Sequence, residues 1–244
     1  MIPKIIHYCW FGGNDMPDDV LKCLDSWKKF APDFELKLWN ESNYDLSKYE
    51  YVKEAFDAGK WAFVTDVVRL DVVHEFGGIY LDTDVELIKP IDHLLSLDGF
   101  MAFEQPGRVA TGLGFGAIAG HPVIKANLEA YANRHFIVDG RANLTTCVTI
   151  TMDTLNNLVG SYVVFENISN TIRLADYNFT ILAQHIMCPY NLETGKTTLL
   201  DDTVSIHHYD ATWKSHKDYL LKFKMKLRRL IGSERYERLK GLIK

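Results

Sequence analysis

Apolar residues in this chain come in short runs cut by Gly, Pro and Asn, and the spacing within the runs switches between two periods. Ile2–Trp10 is almost continuously apolar and predicts a buried first strand, ended by a loop at Phe11-Gly12-Gly13-Asn14. Pro17–Phe30 sets Val20, Leu21, Leu24 and Trp27 on one helical face, and Ala31-Pro32-Asp33 breaks it. Phe34–Trp39 alternates as a second strand, Asn40–Tyr49 is polar and loop-like, and Tyr51–Gly59 is a short helix. In Thr65–Glu86, Val67, Leu70, Val72, Val73 and Phe76 recur at helical spacing. Gly77-Gly78 stops that helix and turns the chain into the apolar strand Ile79-Tyr80-Leu81, which Val85–Ile88 is expected to continue.

The second half alternates in the same way. Ile91–Leu97 reads as a brief helix, and strands at Phe100–Glu104 and Gly114–Ala119 flank a loop over Gly107 to Gly112. His121-Pro122 opens a helix to about Asn133, with proline in its first turn. A helix over Leu144–Val159, a strand at Tyr162–Phe165, an extended run at Ile181–Ile186 and a turn-rich Pro189–Lys196 follow. Val204–Tyr209 is the last strand. Strands alternating with helices predict an α/β fold, a mixed sheet flanked by helices.

Composition adds two limits. With 244 residues, 47% hydrophobic and 24% charged, the chain can bury one sizeable core. The net charge of −5 argues against nucleic acid as a partner. That average hides a division. Residues 214–244 carry 11 Lys and Arg against 3 Asp and Glu, a net of +8, so residues 1–213 carry −13. The expected organisation is therefore one acidic α/β domain over 1–213 and a basic amphipathic helix over 214–244. Such a helix is suited to peripheral contact with an anionic membrane face. Cys9, Cys23, Cys147 and Cys188 lack metal-like spacing and read as reduced thiols. No run is long enough to span a bilayer, and Lys4 and His7 interrupt the first apolar run. The expected location is cytoplasmic, at the inner face of the cell membrane.

The chemistry concentrates at Asp82-Thr83-Asp84. Carboxylates one residue apart at a strand end can converge on one divalent cation if the chain turns between them. Mn²⁺ or Mg²⁺ held by oxygen ligands keeps open positions for phosphate oxygens, so the pair suits a nucleotide diphosphate. Asp66 and Arg69, three apart on a helix, share a face. Asp66 can accept hydrogen bonds from hydroxyls and Arg69 can donate a fork to phosphate or carboxylate oxygens, although the same spacing serves a structural ion pair. His207 and His208 close the last strand, and either imidazole is an acceptable Mn²⁺ ligand. Alternation puts them on opposite faces, with His207 favoured because His208 shares a face with Ile206 and Val204.

These residues lie in a wider pattern. Trp61-Ala62-Phe63-Val64-Thr65-Asp66, then Arg69, then Gly77-Gly78-Ile79-Tyr80-Leu81-Asp82-Thr83-Asp84 resembles the DXD sugar-binding region of glycosyltransferase family 32. More distantly, it resembles the glucosyltransferase domains of large clostridial toxins. IPKIIHYCWFGG, Trp39-Asn40-Glu41-Ser42-Asn43 and the closing His-His-aromatic stretch before Trp213 are similar to the same family. The resemblance implies a GT-A fold, a Rossmann-like mixed sheet binding a nucleotide-sugar through a divalent metal. It implies that Asp66 and Arg69 grip the donor, that Asp82 acts partly through ribose or water, and that Asp84 holds the metal. It also implies that Trp10 stacks on the base, that Trp213 caps the diphosphate, and that transfer retains anomeric configuration. The stretch with Gly112, Gly114 and Gly116 would line the acceptor side, though tight strand packing explains the same glycines. Glu104 and Asp153 are candidate carboxylates for the reaction, and Asn43 and Asp45 candidate site residues. A UDP-sugar donor and a saccharide or lipid-linked acceptor complete the expectation. Two other readings are a phosphohydrolase, using Asp201-Asp202 as a second acidic pair, and a non-catalytic nucleotide-sugar-binding module. The first is disfavoured by Glu86, where the hydrolase motif wants Thr or Val.

Overall fold

Alternating side chains on the central strands lay one apolar core on each side of the sheet. The computed structural model describes residues 1–160, 165, 167–191 and 195–209. In chain order these form β1 (Ile5–Cys9), α1 (Asp18–Phe30), β2 (Glu35–Trp39), α2 (Glu50–Asp57), α3 (Trp61–Phe76), β3 (Gly78–Tyr80), β4 (Val85–Leu87), β5 (Gly99–Gln105) and β6 (Arg108–Val109). There follow β7 (Phe115–Ala117), α4 (Pro122–Glu129), β8 (Ile137–Val138), β9 (Arg141–Ala142), α5 (Cys147–Val159), β10 (Ile172–Leu174), β11 (Phe179–Leu182), α6 (Gln184–Met187) and β12 (Ser205–His207). The main sheet runs β10-β11-β5-β7-β3-β1-β2, with β6 folded onto β5. β1 is parallel to β2 and β3, and β5 to β11, while β7 runs antiparallel between β3 and β5. The expected mixed α/β sheet with flanking helices is present.

On β5, Phe100 and Ala102 join one core, and Met101 and Phe103 the other. Ile79 and Tyr80 on β3 divide in the same sense. α1 covers the first core with Val20, Leu24 and Trp27, whose indole donates to the Val85 carbonyl at 2.7 Å. α3 covers the second, and every residue from Asp66 to Val73 is buried. A helix enclosed on all faces must pair any charge it carries. Asp71 does so by accepting from the hydroxyls of Tyr44 and Tyr49 at 2.7 and 2.9 Å and from Lys48 at 2.9 Å.

The step from α3 into β3 depends on Gly77 and Gly78, at φ 66° and 109°. A Cβ on Gly78 would sit 2.9 Å from His7 Nε2, so this backbone lies directly on a buried imidazole. Trp39 Nε1 donates to His7 Nδ1 at 3.1 Å, and His7 Nε2 lies 2.8 Å from the Gly77 carbonyl. Because an indole only donates, Nδ1 must accept, and Nε2 carries the proton given to Gly77. Burial pushes the His7 pKa down to about 4, opposed in part by the bond to Gly77.

Several expectations change. Val85–Ile88 does not continue the strand at 79–81. The chain turns at 82–84, Val85 N donates to the Asp82 carbonyl at 3.0 Å, and β4 pairs antiparallel with β12 in a separate sheet. The loop at 107–112 contains β6, the helix after His121 ends at Glu129, and the run at 181–186 splits into β11 and α6. The helix expected from Leu144 begins at Cys147, where Thr146 caps it by accepting from Thr149 N at 3.4 Å. Of the strand expected at 162–165 only Phe165, buried, is described. Trp213 and the basic segment 214–244 lie outside the described residues. Among the described residues no helix is long and apolar enough to cross a membrane.

A histidine held neutral stabilises the fold above its unfolded pKa of about 6.5 and loses that stabilisation as pH falls toward its folded value. The unfolded chain binds the extra proton between these limits, so acid weakens the native state by about 3 kcal/mol in all. Urea denaturation of wild type and His7→Gln at pH 7 and pH 4 should show their stability difference shrinking by about that amount. A difference independent of pH would exclude the neutral buried imidazole.

Candidate active site

A cleft of about 380 Å³ opens where the parallel strands end. Cys9 and Trp10 close β1 there, Asp82 to Asp84 follow β3, Glu104 stands near the end of β5, and α3 enters from Trp61. Carboxyl ends of strands in an open α/β sheet are where ligands bind. Asp66, Arg69, Asp82, Asp84, Trp10 and His207 all line this one space.

The centre of the wall is Arg69, 4% exposed. Its Nη2 lies 3.1 Å from Asp66 Oδ1 and 3.4 Å from Asp82 Oδ1, and its Nη1 3.4 Å from Asp82 Oδ2. Nε donates to the Thr65 carbonyl at 3.1 Å, and the guanidinium lies over the Tyr80 ring. Tyr80 donates its hydroxyl to Asp82 Oδ1 at 2.8 Å. The Arg69 fork, which the sequence offered to phosphate or carboxylate oxygens or to an ion pair with Asp66, is spread over the two carboxylates. Burial raises the Asp66 pKa to about 6, with Arg69 opposing. Burial raises Asp82 as well, against Arg69, while Asp84 adds to the rise.

Asp84 meets the last strand. His207 Nε2 is 3.2 Å from Asp84 Oδ1, and His208 N donates to the Asp84 carbonyl at 2.9 Å. Burial alone would lower the His207 pKa, but Asp84, Asp82 and Glu104 outweigh it and raise it. Three carboxylates at 66, 82 and 84 face one guanidinium and one imidazole, a balance that favours a cation. Asp82, Asp84 and His207 each offer one ligand atom, all within 4.8 Å of one another. His207 Nδ1 is buried without a hydrogen-bond partner among the described residues. Two carboxylate oxygens and one imidazole nitrogen fit a divalent ion such as Mn²⁺ or Mg²⁺.

The structure separates the other candidates. His208 turns to Glu86, 2.9 Å from its Nε2, and away from the carboxylate pair. Trp10 donates to the Asn14 carbonyl at 2.6 Å and lines the cleft. Asn43 and Asp45 shape the 40–49 loop instead: Asn43 bridges Leu38 and Asn40, and Asp45 accepts from Ser47. Asp202 binds His185 at 3.0 Å and does not line the cleft. Glu104 lines the cleft, whereas Asp153 lines a neighbouring cavity. Gly114 and Gly116 serve packing, since added Cβ atoms would meet Leu81 at 2.7 Å and Phe100 at 2.8 Å. Gly112 differs, for its Cβ would lie 2.6 Å from Asp82 Oδ2. Cys147, which hydrogen-bonds Asp66, carried no sequence signal for this site, whereas Tyr209, the aromatic of the closing His-His-aromatic stretch, lies with its ring 4.1 Å from that of His207.

Parts of the chain are similar in sequence to known proteins. Residues 17–101 match the family model described as glycosyltransferase sugar-binding region containing DXD motif. That match covers about a third of the chain and includes the block that carries the resemblance read from the sequence. Inositol phosphoceramide mannosyltransferase 3 of Schizosaccharomyces pombe is 30% identical over 143 residues, 55% of this chain and 40% of that protein. A mannosyl phosphorylinositol ceramide synthase of Saccharomyces cerevisiae is 28% identical over 145 residues, 56% of this chain and 38% of that protein. The chain thus spans about two-fifths of the length of these relatives. Among solved structures, the PaToxG glycosyltransferase superposes with a TM-score of 0.49 at 15% identity, over 65% of this chain and 70% of that one.

Gly112 tests how closely the supporting shell holds Asp82. Its φ is not positive, so Gly112→Ala leaves the backbone unstrained while pushing a methyl group into the Asp82 carboxylate. Disturbing such a supporting contact should weaken Mn²⁺ binding by about 10–100-fold, read by calorimetric titration. Unaltered affinity in the folded variant would show that Asp82 is not a ligand.

Proposed function

We propose that this chain is a metal-dependent glycosyltransferase that moves a sugar from a nucleotide-diphosphate sugar to a saccharide or lipid-linked acceptor. One observation carries the reading: Asp82, Asp84 and His207 converge within 4.8 Å beside the Asp66–Arg69 pair, in a cleft at the ends of the parallel strands. Asp82, Asp84 and His207 would hold a divalent cation, which when bound would supply positive charge to the leaving diphosphate.

The chain's own residues have separable parts. Arg69 is a positioning residue, locking the Asp82 carboxylate with both Nη atoms while Tyr80 holds it from the other side. Asp66, in the cleft wall, accepts hydroxyls of the donor sugar. Trp10 offers an aromatic face to the base. In transfer with retention, the anomeric carbon parts from the phosphate oxygen as the acceptor oxygen arrives on the same face. The acceptor proton passes to the departing diphosphate, so this route requires no enzymic base.

A UDP-sugar is the donor the sequence pattern favours. The relatives' names give a second reading, a mannosyl donor with an inositol-bearing lipid acceptor. The excess of basic residues over 214–244 would serve peripheral contact with a membrane carrying that acceptor. Incubation with UDP-glucose, UDP-galactose and GDP-mannose, each with Mn²⁺ and with EDTA, separates the donors. One donor should be consumed, and only with metal. No consumption or binding of any of them by folded protein would overturn the reading. Losing a preorganised charge partner typically reduces turnover 10²–10³-fold, and Asp84→Ala should reduce kcat/KM by about that factor. Near-normal turnover in Asp84→Ala would remove Asp84 from the metal site.

A further inference from the structure

A second cavity, of about 530 Å³, opens beside the donor cleft between the β5–β6 turn and the outer face of α5. Thr146 and Val148 line both spaces, so the two are adjacent. One wall is a single helical stripe, because Thr149, Met152, Asp153 and Asn156 follow i, i+3, i+4, i+7. The other stripe of α5, with Ile150, Thr154 and Leu155, is buried in the domain. Asn156 is itself only 4% exposed, yet its Oδ1 finds no hydrogen-bond partner among the described residues. A buried amide oxygen is rarely left unpaired, and at a cavity wall a bound donor is the natural partner. Across from the stripe stands Arg108, whose Nε lies 3.2 Å from Glu104 Oε2. Glu104 is 7% exposed and lines the donor cleft, so this ion pair stands at the boundary of the two spaces.

We infer that this second cavity seats the acceptor, and that the acceptor group it takes is an uncharged polyhydroxylated ring, a sugar or a cyclitol. The inference rests on the transferase reading above. Its lining decides the ligand class. Asp153, Asn156 and Thr149 together accept from and donate to ring hydroxyls. The cavity's one cation among the described residues, Arg108, is paired with Glu104, and Asp153 would repel a phosphate. With Asp153 and Glu104 set against that one cation, Arg108, the lining carries no net positive charge for an anionic headgroup, while a neutral ring finds hydrogen-bond partners. Thr146 and Val148, common to both linings, set a ring in this cavity beside the donor cleft.

The test uses the full chain, the nucleotide-sugar consumed in the donor panel, and the probes myo-inositol, methyl α-mannoside and methyl β-galactoside. Asp153 is exposed, so Asp153→Ala should fold, and Asn156→Leu removes the buried amide at similar volume. At least one probe should be glycosylated by wild type, with its KM raised tenfold or more in Asp153→Ala. Asn156→Leu, if its melting temperature stays near that of wild type, should do the same. Nucleotide affinity and the slow hydrolysis of donor without acceptor should stay within twofold of wild type. An acceptor KM unchanged in Asp153→Ala, or a matching loss of donor binding, would overturn the inference and leave the transferase reading intact. Failure of wild type to bind any nucleotide diphosphate with Mn²⁺ would overturn both.

Discussion

The guanidinium of Arg69, buried between Asp66 and Asp82, is the contact on which the site depends. Two of the three charges, Asp66 and Arg69, are removed from water on α3, where an unpaired one would be strongly unfavourable. Taking away one partner of such a group typically destabilises by about 3–5 kcal/mol. The group is also the tie between α3 and the strand that follows it. It fixes the carboxylate at the end of β3 against a helix that cannot move without disrupting both the sheet and its second core. The close backbone at Gly112 and the Tyr80 hydroxyl complete the enclosure of Asp82.

Two carboxylates on α3 show how structure and chemistry divide similar residues. Asp71 is buried, and two tyrosine hydroxyls and a lysine occupy its oxygens. It anchors the 40–49 loop, and with those partners in place it is a structural group. Asp66, five residues earlier, shares a single cation with Asp82 and opens on the cleft. Burial raises its pKa to about 6, the mark of a carboxylate with too few partners for its surroundings. A carboxylate in that state gains most from a ligand that donates hydrogen bonds.

Completion of the candidate group of Asp82, Asp84 and His207 falls to a part of the fold that looks minor. β4 and β12 form a two-stranded sheet apart from the main one, with His207 opposite Val85. This register places His207 beside Asp84, while His208 N grips the Asp84 carbonyl. A shift by one residue would exchange the two imidazoles between the site and Glu86. The ligand choice between adjacent histidines is thus a matter of strand register.

Much of this was legible in the sequence, because local patterns carry it. Apolar spacing marked α1, α3 and the central strands, Gly77-Gly78 marked the end of α3, and Asp66, Arg69, Asp82 and Asp84 stood out by their spacing within one block. The places where it misled are those where distant segments decide. Asn43 and Asp45 look like site residues but spend their polar atoms on their own turn. Val85–Leu87 looks like more of the preceding strand until its partner, over a hundred residues on, draws it into another sheet. Residues 61–84 by themselves determined that this protein presents paired carboxylates and an arginine at a helix–strand junction, since hydrophobic period and glycine placement act over a few residues. Only the tertiary structure decided that Arg69 is committed to Asp82, that His207 rather than His208 meets Asp84, and that Gly112 and Cys147 stand against the site. Those contacts join segments whose separation along the chain leaves no local signal, and packing alone brings them together.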